Sequence, residues 1–135
     1  MTATLNQLIN RYSIDTETLE YMDREISIPV LDQPQIQGDV SILPVTTKAA
    51  TTPIPLAGIA VVRGENGGNT HSLHGEGFFD FAPSPTGTEI GTLTVEPGKE
   101  VHMHHPQHGF MGFAGGTYRI GSQREWAGEW RQVAD

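Results

Sequence analysis

Residues 89–114 read EIGTLTVEPGKEVHMHHPQHGFMGFA, and the spacing of the apolar residues in this stretch decides the fold class. EIGTLTV, EVHMH and FMGFA are short runs rich in Val, Ile, Thr and Phe, separated by Pro97-Gly98 and by Pro106, which is the pattern of consecutive β-strands joined by turns. Along a strand, side chains two apart share a face, so Glu100, His102 and His104 point one way and Val101, Met103 and His105 the other. His102 and His104 therefore form a natural bidentate pair. Pro106 breaks the ladder, and a turn through Gln107 can swing His108 back toward them or toward His105.

The same pattern extends outward in both directions. VSILPV (40–45), AGIAVV (57–62), GFFDFA (77–82) and TYRIGSQREW (117–126) are further strand-like runs, and sixteen glycines and nine prolines supply the turns between them. The expected fold is all-β, a compact antiparallel sandwich or barrel over residues 38–135. Ahead of it, residues 1–37 have a different composition. Leu5, Leu8, Ile9 and Tyr12 recur at i, i+3, i+4 and i+7, the stripe of an amphipathic helix near residues 4–12, with Thr2 or Thr4 as its cap. Asp15 can cap a second short turn carrying Leu19 and Met22, and Ile26 to Leu31 reads as extended, demoted by Pro29 to an edge or an arm. The expectation is an N-terminal arm whose apolar residues Leu5, Leu8, Ile9, Tyr12, Leu19 and Met22 make an assembly contact with another molecule.

Composition excludes several classes of partner. At 135 residues the chain is long enough for one domain with a real core. Sixteen acidic and eight basic residues give a net charge of −8, which disfavours nucleic acid and anionic membrane surfaces. MTATLNQLINRYS has no secretion-signal pattern and no stretch approaches the ~20 apolar residues of a membrane span, so cytoplasmic synthesis is expected. Without cysteine, any metal must be held by nitrogen and oxygen.

All six histidines fall between positions 71 and 108. His71 and His74 sit in a glycine-rich loop, NTHSLHGEG, and two histidine groups joined by hairpins can converge on one divalent ion: zinc, nickel, manganese, iron or copper. The candidate ligands are His71, His102, His104, His105 and His108, with His74, Glu100 and Asn69 as additional or outer ligands and Glu76 and Asp80 as further carboxylates. A pH-sensitive or merely polar cluster is the competing reading. For an enzyme, Ser72, Glu76, Glu100 and Tyr118 are available, yet no Ser-His-Asp order, phosphate-cradling loop or HExxH motif appears.

Two family resemblances bear on these residues. EPGKEVHMHHPQHGFMGFAGG resembles the first metal-binding motif of cupins, with Pro97-Gly98, His102-x-His104 and Gly115 in order; the Gly98–His102 gap is shorter and His108 stands where that motif has Glu. It implies a metal-dependent enzyme or a module binding a small ligand. Across residues 38–135, GDVSILPV, RGENGGNTHSL, HPQHGFMGFAGGTYRIGSQREW and RQVAD resemble a family of small proteins of bacterial and phage genomes. That resemblance carries over His71, His105 and His108, with Asn69 replacing another histidine, and implies a fold and a site but no reaction. Together with the arm it leads to the expectation of a structural subunit, a phage capsid decoration protein found in the virion and forming a homo-oligomer.

Overall fold

The computed structural model describes residues 2–14, 25–62, 70–82, 89–106 and 109–122, together with the backbone pairing of 124–126 and 130–132. Leu19, Met22, Asn69 and His108 lie outside the described residues. After one helix, α1 (Leu5–Tyr12), come the strands β1 (Val30–Leu31), β2 (Gln35–Gln37), β3 (Val40–Pro44), β4 (Ile59–Val62), β5 (His71–Gly75) and β6 (Phe78–Phe81). They are followed by β7 (Glu89–Val95), β8 (Val101–His105), β9 (Gly109–Phe113), β10 (Gly116–Ser122), β11 (Arg124–Trp126) and β12 (Trp130–Gln132).

Ten of these strands form two five-stranded sheets, in the orders β1-β9-β8-β5-β4 and β2-β3-β10-β7-β6, while β11 and β12 pair as a separate ribbon. Among the described residues the strand pairings are antiparallel except that of β1 with β9. Alternation along the strands turns one apolar face of each sheet toward the other. Val40, Ile42, Leu93, Val95, Tyr118 and Ile120 of the second sheet meet Val61, Leu73, Val101, Met103 and Phe113 of the first, and every one of them is buried. Tyr118 is locked there by donating to the Ala114 carbonyl at 2.7 Å, so it belongs to the core and not to an acid–base set. Asp80 is likewise structural: it accepts from the backbone N–H groups of Thr51 and Thr52, both at 3.0 Å, and ties the 51–52 segment to β6.

The N-terminal segment is part of this fold. Thr4 caps α1 in a reciprocal box, its Oγ1 accepting from Gln7 N–H while Gln7 Oε1 accepts from Thr4 N–H. Ser13 ends the helix in the left-handed conformation. Two backbone bonds, Leu5 N–H to Ile26 O and Ile28 N–H to Ala3 O, fasten the start of the helix to the segment just before β1. Leu5, Leu8 and Ile9 then pack with Ala3, Ile28 and Phe110 of β9 as a second apolar cluster on the outer face of the first sheet.

Two sequence expectations concern this segment. Leu5, Leu8 and Ile9 make their contact within their own chain, because an eight-residue helix is marginal in water and finds the nearest apolar surface in Phe110 and Ile28. Each of the three contributes roughly 1.5–3 kcal/mol by burial, enough to hold so short a helix in place. β1 and β2 precede the expected boundary at residue 38 and hydrogen-bond into the first and second sheets respectively. The edge expected near Ile26 to Leu31 is β1, whose Val30 and Leu31 pair with Gly112 and Phe113. Among the described residues no helix is long and apolar enough to cross a membrane.

If α1 is integral, Leu8→Ala should lower the urea-unfolding free energy by about 2–5 kcal/mol, as for other fully buried leucines. A freely projecting arm would give a cost near zero in the same measurement.

Candidate functional site

The placement of the histidines follows from one ladder. β5 and β8 pair antiparallel with Ser72 opposite His104, Leu73 opposite Met103, His74 opposite His102 and Gly75 opposite Val101. Leu73, Met103 and Val101 face the inter-sheet core, so His71 and His105, at even spacing from them, face it too. Ser72, His74, His102 and His104 point to the opposite face, beneath α1. The expected single ligand set of His71, His102, His104 and His105 is therefore divided between two faces of one sheet, and His71 and His74, three apart, are separated by the odd spacing. Among the described residues no group of three or more histidine or carboxylate side chains is gathered to hold one metal ion.

On the inner face His71 and His105 are both fully buried, with ring centroids 4.4 Å apart and planes inclined at 46°. His71 Nε2 lies 3.2 Å from the carbonyl oxygen of Gln37. A carbonyl can only accept, so Nε2 carries a proton, which in the neutral ring leaves the lone pair on Nδ1. Gln37 in turn donates from Nε2 to the Gly109 carbonyl at 3.3 Å, binding the end of β2 to the start of β9. Asp39 and Ser122 are buried at the same end of the sandwich, Ser122 opposite Val40 in the β3–β10 ladder and Asp39 immediately before it in the chain. Five polar side chains at one end of an otherwise apolar core are costly to keep there, since each buried polar group needs a partner to offset its lost hydration.

On the outer face His74, His102 and His104 are buried, with Tyr12 of the helix against His74 and His102 and with Phe110 against His104. The Tyr12 hydroxyl and His102 Nδ1 share a hydrogen bond of 2.8 Å, and Ser72 Oγ lies 2.8 Å from His74 Nε2. The Tyr12 ring sits 5.3 Å from that of His74, and Phe110 lies 5.0 Å from the His104 ring. His74 Nδ1, His102 Nε2 and His104 Nε2 have no hydrogen-bond partner among the described residues. Loss of hydration on burial pushes His102 and His104 down to about 4 and lowers His74, so all three rings are neutral at pH 7. Burial also raises the Tyr12 phenol, which keeps its proton. Gly58 makes room for this layer. It has φ +87°, and a Cβ there would lie 2.4 Å from the His74 ring.

The remaining sequence candidates are elsewhere. Ser72 is engaged with His74, Glu100 pairs with Arg11 at 2.7 Å, and Glu76 pairs with Lys99 at 2.9 Å; none of these joins the inner pair. Sequence reasoning missed Gln37, whose backbone fixes the His71 tautomer, and the Tyr12–His102 bond, since both are long-range contacts. It also read residues 69–77 as a loop, although the alternation of His71 and Leu73 with Ser72 and His74 was the available sign of β5.

The chain belongs to a family described as Domain of unknown function (DUF8820), whose model matches residues 36–123. No curated protein and no solved structure matches the chain.

The outer layer gives the protein a pH dependence of definite sign. His102 and His104 titrate at about 4 when folded and near 6.5 when free, so between those values the unfolded chain binds more protons. Their contribution is complete above pH 6.5 and is lost as pH falls toward 4, by roughly 3 kcal/mol for each ring. Urea midpoints measured from pH 7.5 to 4 should fall accordingly, and His104→Leu should flatten that fall. A midpoint independent of pH over this range would contradict the buried, neutral layer.

Proposed function

We propose that this protein is a metal-binding β-sandwich module whose divalent ion is held at the inner end of the first sheet by His71 and His105. One observation carries the reading: two fully buried imidazoles in ring contact, one of them with its proton held by a backbone carbonyl. Histidines that bind metals characteristically donate their second ring N–H to such a carbonyl, which fixes the tautomer and aims the lone pair. In His71 this leaves Nδ1 as the donor atom. A site of nitrogen donors without thiolate suits zinc, nickel, manganese or iron. Two protein ligands leave coordination positions for an exogenous small ligand, which is why a binding module is favoured over a closed structural site. Leu5, Leu8 and Ile9, named for an assembly contact, are buried within the chain, so this reading draws nothing from them.

The test is calorimetric titration of untagged, chelator-treated protein with Zn²⁺ and Ni²⁺, with Co²⁺ absorption as a reporter of ligand geometry. His71→Gln and His105→Gln should each weaken binding by at least about tenfold, the range seen when metal sites lose ligands or their supports. His74→Gln and His104→Gln, on the other face, should leave it unchanged. At a free metal concentration a hundred times Kd the native protein should also gain about 2.7 kcal/mol of stability. Unaltered affinity in both inner variants, or its loss in the outer ones, would overturn the assignment.

A further inference from the structure

At the other end of β5 and β8, where Gly75 pairs with Val101, a groove of about 860 Å³ opens beside the end of α1. It is independent of the proposed metal centre, because β5 begins at His71 and reaches the groove only at its last residue. One wall is apolar, made by Pro53, Ile54, Pro55, Leu56 and Phe78, and Leu56 is fully exposed at its rim. Two glycines lie in the floor: Gly75 has φ +125°, and a Cβ there would lie 2.7 Å from the Glu100 carbonyl and 3.2 Å from the Tyr12 hydroxyl, while one at Gly77 would lie 2.6 Å from Val101 Cγ2. The polar side holds Glu76, Glu96 and Glu100 against Arg11 and Lys99, an excess of one negative charge in a chain of net charge −8.

The way the groove treats its own arginine indicates what it can hold. Arg11 Nη1 meets Glu100 Oε1 at 2.7 Å, and its guanidinium carbon stands 5.8 Å from the centre of the Tyr12 ring. An aromatic face next to a carboxylate is a seat for a planar organic cation. The Tyr12 ring is held in position by its hydroxyl bond to the fully buried His102, so the seat is fixed before any ligand arrives. Arg11, in contrast, is 44 % exposed, and exposed ion pairs are weak enough to exchange.

We propose that this groove binds a small organic cation, a guanidinium or amidinium group on an apolar body, and that Arg11 is its internal occupant. The cationic head takes the place of Arg11 between Glu100 and Tyr12, and the body lies along Pro53, Pro55 and Leu56. Both halves of the ligand are needed, since the seat supplies charge recognition and the wall supplies the contact area.

Benzamidine is a suitable probe and benzoate its counterpart of opposite charge. Followed by amide chemical shifts of Gly75, Gly77 and Gly98, benzamidine should bind the native protein weakly and benzoate should not. Arg11→Ala vacates the seat and leaves Glu100 unpaired, so it should tighten benzamidine binding by about fivefold, the scale on which an exposed pair is lost or gained. Glu100→Gln should weaken binding by a similar factor. Leu56→Ser, which leaves every charge in place, should weaken it independently, and a thermal melt of each variant checks that it is folded. Equal binding of benzoate, weaker binding in Arg11→Ala, or no benzamidine shift in that variant would overturn the proposal whatever the outcome at His71 and His105.

Discussion

The register between β5 and β8 is the constraint on which the rest depends. With His74 opposite His102 and Leu73 opposite Met103, the pleat assigns every histidine of these strands to one face or the other. A slip by one residue would carry His102 and His104 into the inter-sheet core and expel Met103 and Val101 from it, exchanging apolar contacts for unpartnered imidazoles. The register is therefore held by the core itself: Leu73, Val101 and Met103 are completely buried, and burying them the other way round is far costlier. Two chemically different histidine sites result from a single ladder.

The helix completes the second of these sites. Without α1 the outer face of the first sheet would carry Phe110 and three histidines toward water, where imidazoles titrate near neutrality. Leu5, Leu8 and Ile9 cover Phe110, Tyr12 reaches His102, and the face becomes an interior. The three rings then become neutral because the protein removes their water, not because a counter-charge holds them. Apolar docking of α1 and the protonation state of the histidines are thus coupled: whatever charges the rings weakens the ground on which the helix sits.

The two ends of the sandwich have opposite characters. Gln37, Asp39, His71, His105 and Ser122 gather inside one end, while the other end is an open groove bounded by proline, leucine and paired charges. Both are built largely from the ends of strands and the connections between them, where the ladder no longer dictates side-chain direction and backbone groups become available as partners. The carbonyl of Gln37 on His71 is such a group, and so is the backbone freedom of Gly75 in the groove floor.

Much of this was legible in the sequence. Short alternating runs punctuated by Gly and Pro determine an all-β fold, since period two is a local property of the chain. EIGTLTV at 89–95 coincides with β7, and the amphipathic stripe at 4–12 with α1. The division of His102 and His104 from His105 follows from the same local rule. What the alternation cannot fix is which face is inside, and both faces of β8 proved to be buried: one against the second sheet, the other against a helix about ninety residues earlier in the chain. Pairing of β5 with β8, the docking of α1 and the hydrogen bonds to Gln37 and Tyr12 are all long-range contacts. They are set by which apolar surfaces fit together in three dimensions, and no spacing along the chain encodes that.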